Sequence, residues 1–164
     1  MSTDRTRTVT WADPLPAAKA GMAMSGIDYL QAMFEGRLPG PPVMTLLGME
    51  GHSVEPGRVV FALTPAEYHY NPIGTVHGGV IATLLDSAMA CAVHSELPEG
   101  QGYTTLEFKV NFVRPLTQAS GPVTCEGKVI HRGRSQATAE GRVTDAEGRL
   151  YAHATTTCMI LPAR

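Results

Sequence analysis

Asn71-Pro72-Ile73-Gly74-Thr75-Val76-His77-Gly78-Gly79 runs directly into Val80-Ile81-Ala82-Thr83-Leu84-Leu85-Asp86-Ser87-Ala88-Met89-Ala90-Cys91-Ala92-Val93. The second half reads as a helix from about Gly78 to Ser95, apolar on almost every side and therefore buried. Asp86 interrupts it. An unpaired buried carboxylate is costly and is kept for a partner or for chemistry. The glycines in front leave free backbone N–H groups at the helix start, where negative charge can be received. A carboxylate and an oxyanion receptor on one short segment point to acyl chemistry.

Working outward, the flanks are strands. Leu46 to Val54 and Arg58 to Leu63 surround Glu55-Pro56-Gly57, whose Pro and Gly suit a type II turn, so a hairpin is expected. After the helix, Pro98 and Gly100 mark a stop. From Thr104 to Val113, Leu106, Phe108, Val110 and Phe112 alternate with Thr105, Glu107, Lys109 and Asn111, the period of a half-buried strand. Pro122 to Ile130, Ser135 to Val143 and Leu150 to Leu161 read as three more, the last two joined through Asp145-Ala146-Glu147-Gly148. Two strands, one long helix, then four strands make an α+β arrangement in which an antiparallel sheet covers most of one apolar helix. Before this, residues 1–24 read as a tail or loose arm. Ser25 caps a short helix to Glu35 with Ile27, Leu30, Met33 and Phe34 at helical spacing. Pro39, Pro41 and Pro42 stop it. Residues 1–40 are thus an arm, and 41–164 a single domain.

Composition narrows the function. With 164 residues and a formal net charge of −2, the chain suits one domain and has no basic block for a nucleic acid. Cys91, Cys125 and Cys158 are odd in number and lack paired spacing, as for reduced thiols of a cytoplasmic protein. The 80–93 stretch is too short to span a membrane. His52, His69, His94, His131 and His153 have no metal-ligand spacing, so no metal is expected. There is no GxSxG.

Asn71-x-x-Gly74-x-x-His77-Gly78-Gly79, then six residues, then Asp86, resembles the motif of the hotdog-fold acyl-CoA thioesterases, in their phenylacetate-pathway branch. Thr105-Leu106-Glu107, Phe112-Val113-Arg114-Pro115 and Gly133-Arg134-Ser135 extend the resemblance across residues 43–161. It implies a hotdog fold, in which a curved antiparallel sheet wraps one central helix. It also implies a homotetramer built as a dimer of dimers. It places the site between two subunits, with Asp86 of one facing Asn71, His77 and Gly78 of the other. Asp86 would be a general base for water, or a nucleophile. Gly78 N–H would polarise the thioester carbonyl, and Asn71 and His77 would orient carbonyl or water. Thr105 matches a hydroxyl residue that helps hold the water. Strand parity turns Thr105 away from the helix, so either a bulge re-aims it or Thr104 takes its place.

Thioester hydrolysis needs an activated water, a stabilised oxyanion and a positioned carbonyl. A thiolate leaving group needs little protonation, so no strong second acid and no separate cofactor is required. Coenzyme A is anionic. Arg114, Arg132 and Arg134 at strand ends are candidates for its phosphates. Gly79 and Met89, the latter one turn beyond Asp86, are further candidates to line the substrate. The competing readings are a non-catalytic acyl-CoA-binding protein on the same scaffold and a hotdog hydratase. The hydratase would need an Asp/His pair at another spacing.

Overall fold

A computed structural model describes residues 4–162. Six strands form one antiparallel sheet: β1 (Met49–Glu55), β2 (Arg58–Leu63), β3 (Gly102–Phe112), β4 (Val123–Arg132), β5 (Gln136–Asp145) and β6 (Leu150–Leu161). Their order across the sheet is β1-β2-β4-β5-β6-β3. Three helices precede or flank β1 in sequence: α1 (Pro14–Gly21), α2 (Gly26–Phe34) and α3 (Pro42–Leu47). The long helix α4 (Gly78–His94) connects β2 to β3 and lies on one face of the sheet.

Each boundary has a local cause. Ser25 caps α2 by accepting from Asp28 N–H at 3.3 Å. The β1–β2 hairpin turns at Pro56-Gly57, and Gly57 has φ +74°, the left-handed position a type II turn asks of its third residue. Ser95 ends α4. Its hydroxyl donates to Ala92 O at 2.7 Å and accepts from Gly57 N–H at 2.8 Å, tying the helix end to the hairpin.

The core sits between α4 and the sheet. Ile81, Leu84, Leu85, Ala88, Met89, Ala92 and Val93 form the buried stripe of the helix. Opposite it, Gly127 pairs with Gly141 and Gly141 with Ala154, a row of small residues across β4, β5 and β6. A side chain at Gly127 would overlap the Ala88 backbone, and one at Gly141 would come within 2.9 Å of Met89. The sheet is therefore grooved where the helix approaches closest.

Three expectations change. Leu46 and Leu47, read as the start of the first strand, end a helix over residues 42–47: Pro42 sits at the first helical position and Gly48, φ +68°, ends the turn, so β1 begins at Met49. The segment before Ser25 is not a featureless tail either. Asp13 accepts from Leu15 N–H at 3.0 Å and Pro14 opens α1. The sheet also covers less of α4 than its apolar sequence suggests. α2 packs against its other flank, where Gly26 meets the His94 carbonyl too closely for any side chain and Gly26 N–H bonds Leu97 O at 2.9 Å.

Candidate active site

Asp86, Ser87, Ala90, Cys91 and His94 form a second stripe on α4, turned away from the sheet. It lines a cavity of about 580 Å³. The opposite wall comes from the arm, through Gly21, Tyr29, Met33, Phe34 and Met44. The floor is the start of β3. Asp86 is half-buried rather than enclosed. Its Oδ1 accepts from Thr105 Oγ1 at 2.9 Å, and no other partner is found for the carboxylate among the described residues.

Thr105 reaches Asp86 because the strand is irregular. Thr105 pairs with Cys158 and Glu107 with Thr157, so Leu106 is the extra residue of a bulge. Before the bulge, Tyr103 and Thr105 face the helix; after it, Phe108 and Val110 do. The alternating pattern assigned Leu106 to the buried face, yet it is 48% exposed. Thr104, the alternative hydroxyl, is exposed.

The other titratable groups of the cavity are held neutral. Burial pushes the Cys91 thiol up to about 12, against the hydrogen bond from Tyr103 and with the nearby Asp86 charge adding to the rise. That leaves no thiolate nucleophile. Burial also pushes Tyr103 well above and His94 below their ordinary values. Among the described lining residues Asp86 is the single carboxylate, and Lys and Arg are absent.

The start of α4 lies elsewhere. His77 caps the helix, Nδ1 accepting from Gly79 N–H at 2.8 Å, so its neutral ring carries the proton on Nε2. Val80 N–H is taken by His77 O at 2.9 Å. Gly78 N–H, between them, has no partner among the described residues. The segment is pinned by His77 N–H to His69 O and Val76 N–H to Leu116 O, both 2.8 Å. Buried His69 anchors this loop: Nδ1 accepts from Ala66 N–H at 3.0 Å and Nε2 donates to Leu47 O at 2.8 Å. Burial lowers its pKa and keeps it neutral. Asn71 Oδ1 accepts from Ile73 and Thr75 N–H at 3.1 and 3.2 Å, and Nδ2 donates to Thr75 Oγ1 at 2.9 Å. Its carboxamide shapes the loop more than it faces a ligand.

Asn71, Gly78, Phe112 and Arg114 line a separate cleft of about 350 Å³. Eight residues of helix, about 12 Å of rise, separate Gly78 from Asp86. One chain therefore holds the Asp86 carboxylate and the Gly78 N–H apart. Arg132 and Arg134 are exposed at the Thr105 end of the sheet: Arg132 pairs with Ala137, Ala137 with Cys158 and Cys158 with Thr105. Arg114 lies at the Gly78 end. Gly79 is exposed beside His77. Met89 is fully buried against Gly141 and lines none of the described cavities, because it projects into the sheet while Asp86 projects away from it.

The sequence analysis did not single out Tyr29, Ser87, Gln101 or Tyr103. Gln101 and Tyr103 share the parity of Thr105, and Ser87 adjoins Asp86, so those three were within reach of the pattern. Tyr29 was not, since nothing local shows that α2 crosses α4.

The description "thioesterase superfamily" belongs to a family model that matches residues 73–152. A 1,4-dihydroxy-2-naphthoyl-CoA hydrolase of Listeria monocytogenes is 30% identical over 104 residues, 63% of this chain and 83% of that protein. This chain belongs to the thioesterase superfamily. Such thioesterases share its architecture. A phenylacetic acid degradation-related protein from Ralstonia eutropha JMP134 superposes with TM-score 0.72 at 30% identity, covering 80% of this chain and 98% of that one. The PaaI protein of the E. coli phenylacetic acid degradation operon does so with TM-score 0.74 at 20% identity, covering 87% and 97%. The thioesterase described here is thus a hotdog-fold, PaaI-like thioester hydrolase, which sets aside the non-catalytic reading. Among its described residues no helix is long and apolar enough to cross a membrane, and no group of three or more His, Cys, Asp or Glu could hold a metal ion.

Proposed function

We propose that this thioesterase hydrolyses acyl-CoA thioesters, with Asp86 as general base, at a site completed by a second copy of the chain. The Thr105–Asp86 hydrogen bond at the wall of a neutral cavity carries this reading. Thr105 holds one carboxylate oxygen and leaves the other for water. Water attacks the thioester carbon as its proton passes to Asp86. The oxyanion is received by Gly78 N–H. Collapse breaks the carbon–sulfur bond, and coenzyme A leaves as thiolate and takes up a proton. The acyl group occupies the cavity beneath the arm. That the Listeria relative acts on a CoA thioester supports the leaving group.

The second copy follows from distance and from an open strand. β3 is an edge of the sheet, eleven residues long, with its Leu106 and Phe112, and Val113 just beyond its end, each about half exposed. Unpaired edges of this length invite another strand. Thr105 marks the Asp86 end of β3. Phe112 marks the Gly78 end, since a side chain at Gly78 would come 3.1 Å from its Cζ. Both face the helix side. Antiparallel pairing of two β3 edges centred on Lys109, with Leu106 left out as the bulge residue, would set Thr105 of one copy opposite Phe112 of the other, as residues directly opposite share a face. Each Asp86 then meets the other copy's Gly78 N–H, and Arg114 joins Arg132 and Arg134 around one mouth for the phosphates.

The test is release of free coenzyme A from an acyl-CoA panel, followed with a thiol reagent, for the wild type and Asp86→Asn. The substitution should lower kcat by at least about a hundredfold, the scale of a lost general base, with the melting temperature retained. A folded Asp86→Asn protein of undiminished kcat rejects the assignment.

A further inference from the structure

We propose that the end of the cavity remote from Asp86 is a subsite for a hydroxyl at the distal end of the acyl group, received by Gln101. The inference rests on the acyl-CoA reading of the Asp86 site. Gln101 lines the cavity, and its Oε1 is the one side-chain N or O atom, among those of the described residues, that is buried without a hydrogen-bond partner. A buried polar atom left unpaired is a standing cost, and one at a cavity wall is open to a partner that enters the cavity. Its place is set by the strand: Gln101, Tyr103 and Thr105 alternate onto the cavity face. Gln101 immediately precedes β3, and four residues of extended chain, about 13 Å, separate it from Thr105. His94 marks the same far end from the other side, eight residues and about 12 Å of helix beyond Asp86. The group that reaches Gln101 is therefore remote from the thioester carbonyl.

Its chemistry follows from the surroundings. The His94 ring lies 5.0 Å from that of Tyr103 and 5.7 Å from that of Tyr29. Burial keeps all three uncharged. With no Lys or Arg among the described lining residues, a terminal carboxylate has nothing to pair with. A carboxamide turns about its last side-chain bond at small cost, presenting either oxygen or N–H2 to the cavity. A hydroxyl satisfies both, since it donates to the one and accepts from the other.

The experiment compares octanoyl-CoA, ω-hydroxyoctanoyl-CoA, β-hydroxyoctanoyl-CoA and the ω-carboxyl analogue. The ω-hydroxyl should raise kcat/KM about tenfold over the parent, the worth of one satisfied buried polar atom. The β-hydroxyl should give no such gain, and the carboxylate should be the poorest. Gln101→Met keeps the shape without the polar atoms and should bring the ω-hydroxyl preference to about one; Gln101→Glu, which keeps an acceptor, should retain part of it. Equal rates for parent and ω-hydroxyl substrate in the wild type, or an unchanged preference in Gln101→Met, overturn the subsite and leave the hydrolase reading standing. If Gln101→Met does not fold, the wild-type comparison decides. If no thioester is cleaved, the mechanism fails, and calorimetry with octanoate and ω-hydroxyoctanoate decides on the subsite. Tighter binding of the hydroxy acid supports it, and equal binding refutes it.

Discussion

At the scale of single residues, the proposed chemistry depends on one hydroxyl and one inserted neighbour. Thr105 donates to Asp86 because Leu106 occupies the bulge; without it the strand's alternation would turn Thr105 away from α4. Hydrogen bonds to a charged group are worth about 1.5–3 kcal/mol. Thr105→Val keeps the shape and removes the donor. It should lower kcat by roughly tenfold or more while leaving the melting temperature close to that of the wild type. Steady-state kinetics and a thermal melt check both halves, and an unaltered kcat would show that the contact only anchors β3 to α4. Asp86 and the glycines before it were legible as a candidate pair because their types and spacing suit acyl chemistry. Met89 was misplaced for a geometric reason. Three residues along a helix is nearly one turn, yet the residual rotation is enough to move it from the cavity flank to the sheet flank.

At the scale of elements, the β5–β6 turn is held by Asp145, 6% exposed. Oδ1 accepts from the N–H groups of Glu147 and Arg149 at 3.1 and 2.9 Å; Oδ2 accepts from Arg149 Nε at 2.6 Å and the Tyr151 hydroxyl at 3.0 Å. Desolvation alone would raise its pKa, but the hydrogen bonds from Arg149 and Tyr151 and the Arg149 charge outweigh it and bring it below the ordinary carboxylate value. A depressed pKa stabilises the fold fully above the unfolded-state value of about 3.9, and that stabilisation is lost as pH falls through the folded value. Asp145→Asn should therefore melt earlier than the wild type at pH 7, with the gap narrowing below about pH 4. Melts across that range test it, and a gap constant with pH contradicts it. Most strands were readable because one face alternates, as in β5, where Ala137, Ala139, Gly141 and Val143 point inward. The helix α3 was not readable, since six residues carry too little periodicity to compete with the strand that follows.

At the scale of the whole molecule, Asp86 and the Gly78 N–H lie about two helical turns apart in one chain, so under the proposed mechanism activity and assembly should be lost together. Charging the open edge with Leu106→Glu and Val113→Glu should shift the protein toward monomer in sedimentation equilibrium and lower kcat/KM by at least tenfold, although each chain keeps its own Asp86 and Thr105. A folded monomer with full activity would confine the site to one chain.

The sequence by itself determined the elements around α4, the α+β arrangement and the family resemblance, and it offered the candidate residues for acyl chemistry, because these depend on short-range spacing and periodicity. It did not determine which face of α4 is left for a cavity, that the arm supplies its wall, that Thr105 rather than Thr104 reaches the carboxylate, or that Gln101 Oε1 is buried without a partner among the described residues. Those follow from how elements distant in sequence pack against one another. A bulge, a crossing of two helices and an orphaned oxygen are properties of the assembled chain, and they come into being only when close packing removes water and fixes each side chain among neighbours that its own segment does not contain.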